Sequence, residues 1–175
     1  MKLTIPLDSR DHIQGSLEAP AVLIKYGDYQ CPHCATAYPI IKSLQKRFAA
    51  DLCFAFRNMP FARIHPQAQL AAEAAEAAGA QNQFWPMHDA LYENQSMLGP
   101  EVIHRLAGKL GLDIPQFEKD LAMHRFRERI RGDFMGGVRS GVNGTPTFFI
   151  NGERYNGHTE ERALSAALLW VINNN

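Results

Sequence analysis

The sequence predicts an α/β fold whose sheet is interrupted by an inserted all-helical block. Three observations carry that reading. The run Ala21-Val22-Leu23-Ile24-Lys25-Tyr26 is nearly continuous in apolar residues, the pattern of a strand buried on both faces. Two further strand-like runs follow at residues 52–57 and 147–150, and the signals between Pro60 and Gly144 are almost wholly helical. At 175 residues the chain is one domain, or a domain with a sizeable insertion, long enough to bury a core without a disulfide scaffold. Residues 1–62 and 141–175 are expected to form the α/β part, and residues 63–140 the inserted helical subdomain.

In chain order, residues 11–20 read as a polar lead-in with a turn at Gly15-Ser16 and a stop at Pro20. The first apolar run ends at Gly27-Asp28, and Cys31-Pro32-His33-Cys34 follows at once. The two thiols therefore fall between the C-terminal end of a central strand and the next helix, where open α/β sheets place their chemistry. From Cys34 onward Tyr38, Ile41, Leu44 and Phe48 recur at helical spacing, with Pro39 inside the helix and expected to kink it. The run 52–57 gives a second strand, closed by Met59-Pro60, in which Cys53 reads as a small core residue. Glycines and prolines divide the helical block into 67–78, 84–95, 100–110, 115–123 and 126–140. The third run, Thr147-Phe148-Phe149-Ile150, turns at Asn151-Gly152 into a partner strand around Arg154-Tyr155. Thr159 is the expected N-cap of a last helix that buries Leu164, Leu168 and Val171, and Trp85 and Trp170 are expected in the core.

Two cysteines three residues apart at a helix start can close a small disulfide ring without large backbone movement. Cys31 would face unpaired backbone N–H groups and the positive end of the helix dipole, both of which favour the thiolate. Pro32 suits the first helical position, and His33 adds positive charge when protonated. The thiol pKa of Cys31 is therefore expected to be depressed, to roughly 3.5 to 7. A low thiol pKa stabilises the reduced form and makes the disulfide more oxidising. Other roles for the pair are half of a zinc site, which needs two more ligands where only Cys53 remains, and a structural disulfide, which over so short a loop constrains little. His65, His88, His104 and His124 are scattered without an i, i+4 pair, so no metal is expected there.

Lys+Arg and Asp+Glu are both 18, so the charge balance points to no nucleic-acid or anionic-membrane partner. Arg125, Arg127, Arg129 and Arg131 read as the solvated face of a helix. No apolar run is long enough for a membrane span. The first ten residues lack the apolar stretch of a leader, so the chain as written is expected in the cytoplasm, or in the periplasm if a leader has been trimmed.

The order β, dithiol, α, β, helical block, β, β, α, with Thr145-Pro146 before the third core strand, resembles the thioredoxin fold. The inserted helical subdomain narrows the resemblance to the DsbA family of thiol–disulfide oxidoreductases, over nearly the whole chain. The stretches Tyr26-Gly27-Asp28-Tyr29-Gln30-Cys31, Ile64-His65-Pro66, Phe84-Trp85-Pro86-Met87-His88-Asp89 and Gly144-Thr145-Pro146-Thr147-Phe148-Phe149-Ile150-Asn151-Gly152 are similar to compact DsbA-like domains that also occur fused to bacterial sodium/proton antiporters.

The resemblance implies that Cys31 is the nucleophile, Cys34 the resolving thiol and Pro146 a cis-proline facing them. The Thr145 backbone would then pair with an extended substrate peptide. No cofactor is implied. The implied partners are thiol- or disulfide-containing protein substrates and a separate redox partner that resets the dithiol. Tyr29, Met59, Phe61 and Phe148 are expected to form an apolar rim that receives unfolded peptide. Where many relatives carry a glutamate in the first strand beneath the dithiol, this chain has Lys25, expected either to lower the thiol pKa or to point to solvent. Oxidation of protein thiols is the expected function. The alternatives are a cytosolic disulfide reductase, a redox-sensing domain, or a metal or iron–sulfur module built on the same cysteine pair.

Overall fold

The computed structural model describes residues 1–174. Its first long strand, β2 (Ala21–Gly27), pairs in parallel with β3 (Leu52–Asn58). All seven residues of β3 and six of the seven in β2 are buried, which is why these runs show continuous rather than alternating hydrophobicity. A parallel pair needs a crossover, supplied by α1 (Pro32–Phe48). Its inward face is Cys34, Ala37, Ile41, Leu44 and Phe48, close to the expected helical stripe.

The chain returns with β4 (Thr147–Ile150), antiparallel to β2, and a hairpin leads to β5 (Glu153–Tyr155). Asn151 and Gly152 both have positive φ, 45° and 80°, as the expected two-residue hairpin turn requires. The register pairs Tyr26 with Thr147, so the residues just before β4 lie beside those that follow β2. That pairing sets Thr145-Pro146 against the dithiol.

A short β1 (His12–Gln14) adds an antiparallel edge to β3 and gives the sheet order β1-β3-β2-β4-β5. β1 corrects the expected polar lead-in: three residues are too few to display an alternation, and their strand character comes from the β3 edge they cover.

Between β3 and β4 lie α2 (Ala68–Gly79), α3 (Phe84–Glu93), α4 (Pro100–Lys109), α5 (Ile114–Ala122) and α6 (Arg127–Arg139). All five match the expected helical stretches to within a few residues. Ala71, Ala74, Ala75, Ala77 and Ala78 of α2 are fully buried and let its neighbours approach closely. Glu73 and Glu76 are buried in the same helix, so their carboxylates need partners. Glu76 accepts from His12 Nε2 at 2.9 Å, Asn58 Nδ2 at 2.8 Å and Arg129 Nε at 2.6 Å, which ties α2 to β1, β3 and α6. Arg129 is therefore a partner of the core, unlike the solvated face expected for its run.

The last helix, α7 (Glu161–Asn173), buries Leu164 and Leu168. Its N-cap is Glu160 rather than Thr159, and no side chain caps it; Ser43 of α1 instead donates to Glu161 at 2.6 Å and holds the first turn. Trp170 is 68% exposed, against expectation, because it sits on the outer face of α7. Trp85 does pack on the core and donates its indole N–H to Ile13 O at 3.1 Å.

Candidate active site

Cys31 occupies the N-cap of α1 in extended conformation (φ −72°, ψ 121°), with Pro32 at the helix start. Both cysteines are free thiols; Cys31 is 5% exposed and Cys34 fully buried. The Cys31 thiol donates to the Thr145 carbonyl at 3.2 Å, and the Thr145-Pro146 bond is cis. The expected juxtaposition of the dithiol with the 145–146 loop is therefore present.

The two thiols differ sharply in acidity. Cys31 is lowered to about 5, first by the hydrogen bond from the Cys34 thiol and then by the Thr145 hydroxyl and the amides of Cys34 and His33, against the opposing effect of burial. His33 thus acts through its backbone, and its ring is exposed. Cys34 is raised well above 9, chiefly by burial, while Lys25 pulls it down. At neutral pH the surroundings favour a thiolate at Cys31, held by a hydrogen bond from the fully buried, protonated Cys34.

Three groups hold the dithiol loop. Asp28, at the end of β2 and buried, accepts from the amides of Gln30 and Phe61, each at 2.8 Å, and from His65 Nδ1 at 2.8 Å. Gln95, in a short 3₁₀ turn after α3, donates Nε2 to the carbonyls of Tyr29 at 2.8 Å and Cys31 at 2.9 Å. Gln30 accepts from the Gln67 amide at 2.7 Å. None of the three was named as a site residue from the sequence, although Asp28 and Gln30 stand in the stretch that leads into Cys31. Asp28 had a signal in its place between strand and dithiol, whereas Gln95 sits 64 residues beyond Cys31 and had none.

Lys25 does not reach solvent. It is 1% exposed beneath α1, with Nζ 3.4 Å from the Cys34 carbonyl and 4.4 Å from the Tyr92 ring centroid. Burial lowers it to about 8, and the two cysteines oppose that shift.

The expected apolar rim is corrected in part. Tyr29, Met59 and Phe148 are at most 2% exposed, so their side chains fill the core instead of facing a peptide. Tyr29 is held there by a hydrogen bond to His88 Nδ1 at 2.9 Å, and Phe148 by its place opposite Lys25 in the sheet. Phe61 is half-buried against Phe134. The exposed apolar side chains on segments bonded to the dithiol loop are Ile64 (70%) and Met97 (57%). Among the described residues no three His, Cys, Asp or Glu side chains are grouped to hold a metal.

A dithiol at a helix N-terminus, opposed by a cis-proline loop on this sheet, defines a thioredoxin-fold protein with an inserted helical subdomain. The family model described as Thioredoxin matches residues 8–169, and the chain belongs to that family. In sequence it is 44% identical over 167 residues to the Na(+)/H(+) antiporter NhaA 1 of Salinispora arenicola, covering 95% of this chain and 26% of that protein. The chain thus spans about a quarter of the length of the antiporter it matches. In structure it is similar to alpha-DsbA1 of Wolbachia pipientis (TM-score 0.85, 18% identity, 98% and 95% of the two chains). It also resembles oxidised BdbD of Bacillus subtilis (TM-score 0.83, 23% identity, 92% of each). Among the described residues no helix is long and apolar enough to cross a membrane.

Proposed function

We propose that this domain is a thiol–disulfide oxidoreductase that oxidises protein thiols through Cys31 and Cys34. The observation that carries the reading is the split between the thiols, Cys31 lowered to about 5 at the N-cap of α1 and Cys34 fully buried and raised. A substrate thiolate attacks Cys31 of the disulfide, a mixed disulfide forms, and the substrate's second thiol releases it. The Cys31 thiolate is a stable leaving group in that last step. The Thr145 backbone, 3.2 Å from Cys31, is suited to align an extended substrate as an added strand, with Ile64 and Met97 as apolar contacts in place of the buried trio. A separate redox partner restores the disulfide. An oxidant of this kind belongs in an oxidising compartment, so the periplasmic alternative is the one adopted.

The test is the reduction potential, from equilibration with glutathione buffers and counting of trapped thiols. A value near about −120 mV is expected of a strong dithiol oxidant, and one near about −270 mV would make the domain a reductase. The antiporter relatives support a second reading, a dithiol whose state is read by a sodium/proton antiporter. Antiport measured in vesicles with the domain oxidised and then reduced separates the two, since an unchanged rate rules the second reading out.

A further inference from the structure

We infer that the groove between the start of α6 and the segment after β3 docks the polypeptide that this dithiol oxidises, selecting substrates in which a carboxylate side chain stands next to a bulky apolar one near the cysteine. The inference rests on the oxidoreductase reading and adds a substrate class to it.

Four arginines stand at every second position from 125 to 131, and the fold divides them. Arg125 pairs with Asp120 at 3.1 Å, and Arg129 turns inward to the buried Glu76 at 2.6 Å. Arg127 and Arg131 are left exposed, four residues apart and so neighbours on the helix surface. Among the described residues Arg127 pairs with no carboxylate, and Arg131 reaches only Glu128, at 3.5 Å. Both partners in that pair are exposed, so it is weak. Arg63, exposed in the segment after β3, also pairs with no carboxylate among the described residues.

These cations rim an apolar floor. Pro60, Ile130 and Phe134 line a cavity of about 240 Å³ together with Arg127 and Arg131, and Gln69 of α2 also faces it. Pro60 and Ile130 are buried, so the floor is fixed. Asp133 accepts from the Asn58 amide at 3.0 Å, which ties α6 to the end of β3 and sets one wall against the other.

Size and charge choose the occupant. Small-molecule sites occupy roughly 300 to 1,000 Å³, so this smaller cavity suits a side chain or two of a peptide rather than a whole metabolite. An apolar side chain fits the floor, and a carboxylate beside it meets the two guanidiniums. Among the described residues that line the groove, Glu128 is the only acid. The larger cavity on the other side of Glu128, about 470 Å³, is lined by as many acids as arginines and selects no charge.

The groove is joined to the dithiol. Pro60 leads into Phe61, whose ring packs on Phe134 and whose amide donates to Asp28 at 2.8 Å. The Asp28 carbonyl in turn accepts from the Cys31 amide at 3.2 Å. Ile64, 70% exposed, lies on the same segment. One end of this segment borders the groove and its Phe61 is bonded to the dithiol loop, so a substrate chain lying along it past Ile64 presents its cysteine to Cys31.

The test is stopped-flow reduction of the oxidised protein by two dithiol peptides. They share their cysteines and differ only in the flanks, Glu-Leu-Glu on both sides in one and Lys-Leu-Lys in the other. The chain has no formal net charge, so a preference between them is local. The acidic peptide should be oxidised about tenfold faster at low salt, within the range that two exposed ion pairs supply, and the ratio should shrink at high salt. Reversing both arginines, Arg127→Glu with Arg131→Glu, should bring the ratio to about one or below. The same reversal at two exposed arginines elsewhere, Arg105→Glu with Arg162→Glu, should keep it. Because each readout compares two peptides on one protein, a general loss of activity in a variant cancels. A ratio near one in the native protein, a ratio that survives the groove reversal, or an equal fall in both variants overturns the inference. Failure to oxidise either peptide refutes the oxidoreductase reading itself, whereas equal oxidation of both leaves that reading standing and removes only the selectivity.

Discussion

Replacing Lys25 by methionine should stabilise the dithiol form of this protein at neutral pH. The lysine is fully buried, and its pKa falls from 10.5 to about 8, mainly through loss of hydration. At about 1.4 kcal/mol per pH unit, the gap corresponds to about 3 kcal/mol of destabilisation whenever the native amine is charged. The sign follows from proton counting. Between about 8 and 10.5 the unfolded chain holds a proton that the native protein has lost, so native stability rises with pH across that window. Below about 8 both states hold the proton and the whole cost is present; above 10.5 neither does and it is gone. Methionine has a similar length and no charge to desolvate, so Lys25→Met removes the cost and leaves the packing nearly intact. Urea unfolding of both proteins under reducing conditions, at pH 7 and again above the lysine range, measures the difference directly. The variant should be more stable by about 3 kcal/mol at pH 7, with most of that gain gone at high pH. A variant that is less stable at pH 7, or a difference that does not move with pH, would show that the ammonium is well compensated where it lies.

Three further outcomes follow from the dithiol's surroundings. Cys34→Ala removes the leading hydrogen bond to the Cys31 thiolate and should raise the Cys31 pKa by roughly 1 to 2 pH units, whereas Cys34→Ser keeps a donor and should raise it less; thiolate absorbance against pH distinguishes them. Thr145→Val deletes the hydroxyl that also lowers Cys31, so its pKa should rise and its alkylation by iodoacetamide at pH 6 should slow by up to roughly tenfold, while the buried Cys34 and Cys53 stay unreacted in both proteins. Gln95→Ala strands the carbonyls of Tyr29 and Cys31 and should cost about 1 to 3 kcal/mol in urea unfolding, with faster amide exchange confined to the dithiol loop; unchanged exchange there would remove Gln95 from the loop's support.

The parts legible in the sequence were those fixed by local pattern. β2 and β3 announced themselves because both faces are covered, and the five inserted helices because Gly and Pro punctuate them. Cys31 at the start of α1 was readable because Pro32 can only sit well in a first turn. What the sequence hid were contacts between distant segments. β1 exists through the β3 edge, Gln95 matters only because α3 folds back over the dithiol, and the rim expected at Tyr29, Met59 and Phe148 failed because apolar residues near a site are indistinguishable in sequence from apolar residues beneath it. Lys25 was visible as an oddity in an apolar run, and its direction was settled only by what covers it.

That cover is the inserted subdomain. Tyr92 and His88 from α3 close over Lys25, Tyr29 is packed between Phe56, His88 and Tyr92, and Gln95 beyond the same helix fixes the Cys31 carbonyl. These side chains add to the burial of Lys25 and of the compartment that holds Cys34 beneath α1. The insertion therefore does more than extend the fold: it makes the dry compartment in which Cys34 is held protonated, while Cys31 stays at its edge with helix amides and Thr145 to stabilise its charge. The asymmetry between the two thiols is a property of the α1–α3 interface as much as of the Cys31-Pro32-His33-Cys34 segment, and substitutions in α3 should move the dithiol's redox equilibrium without touching either sulfur.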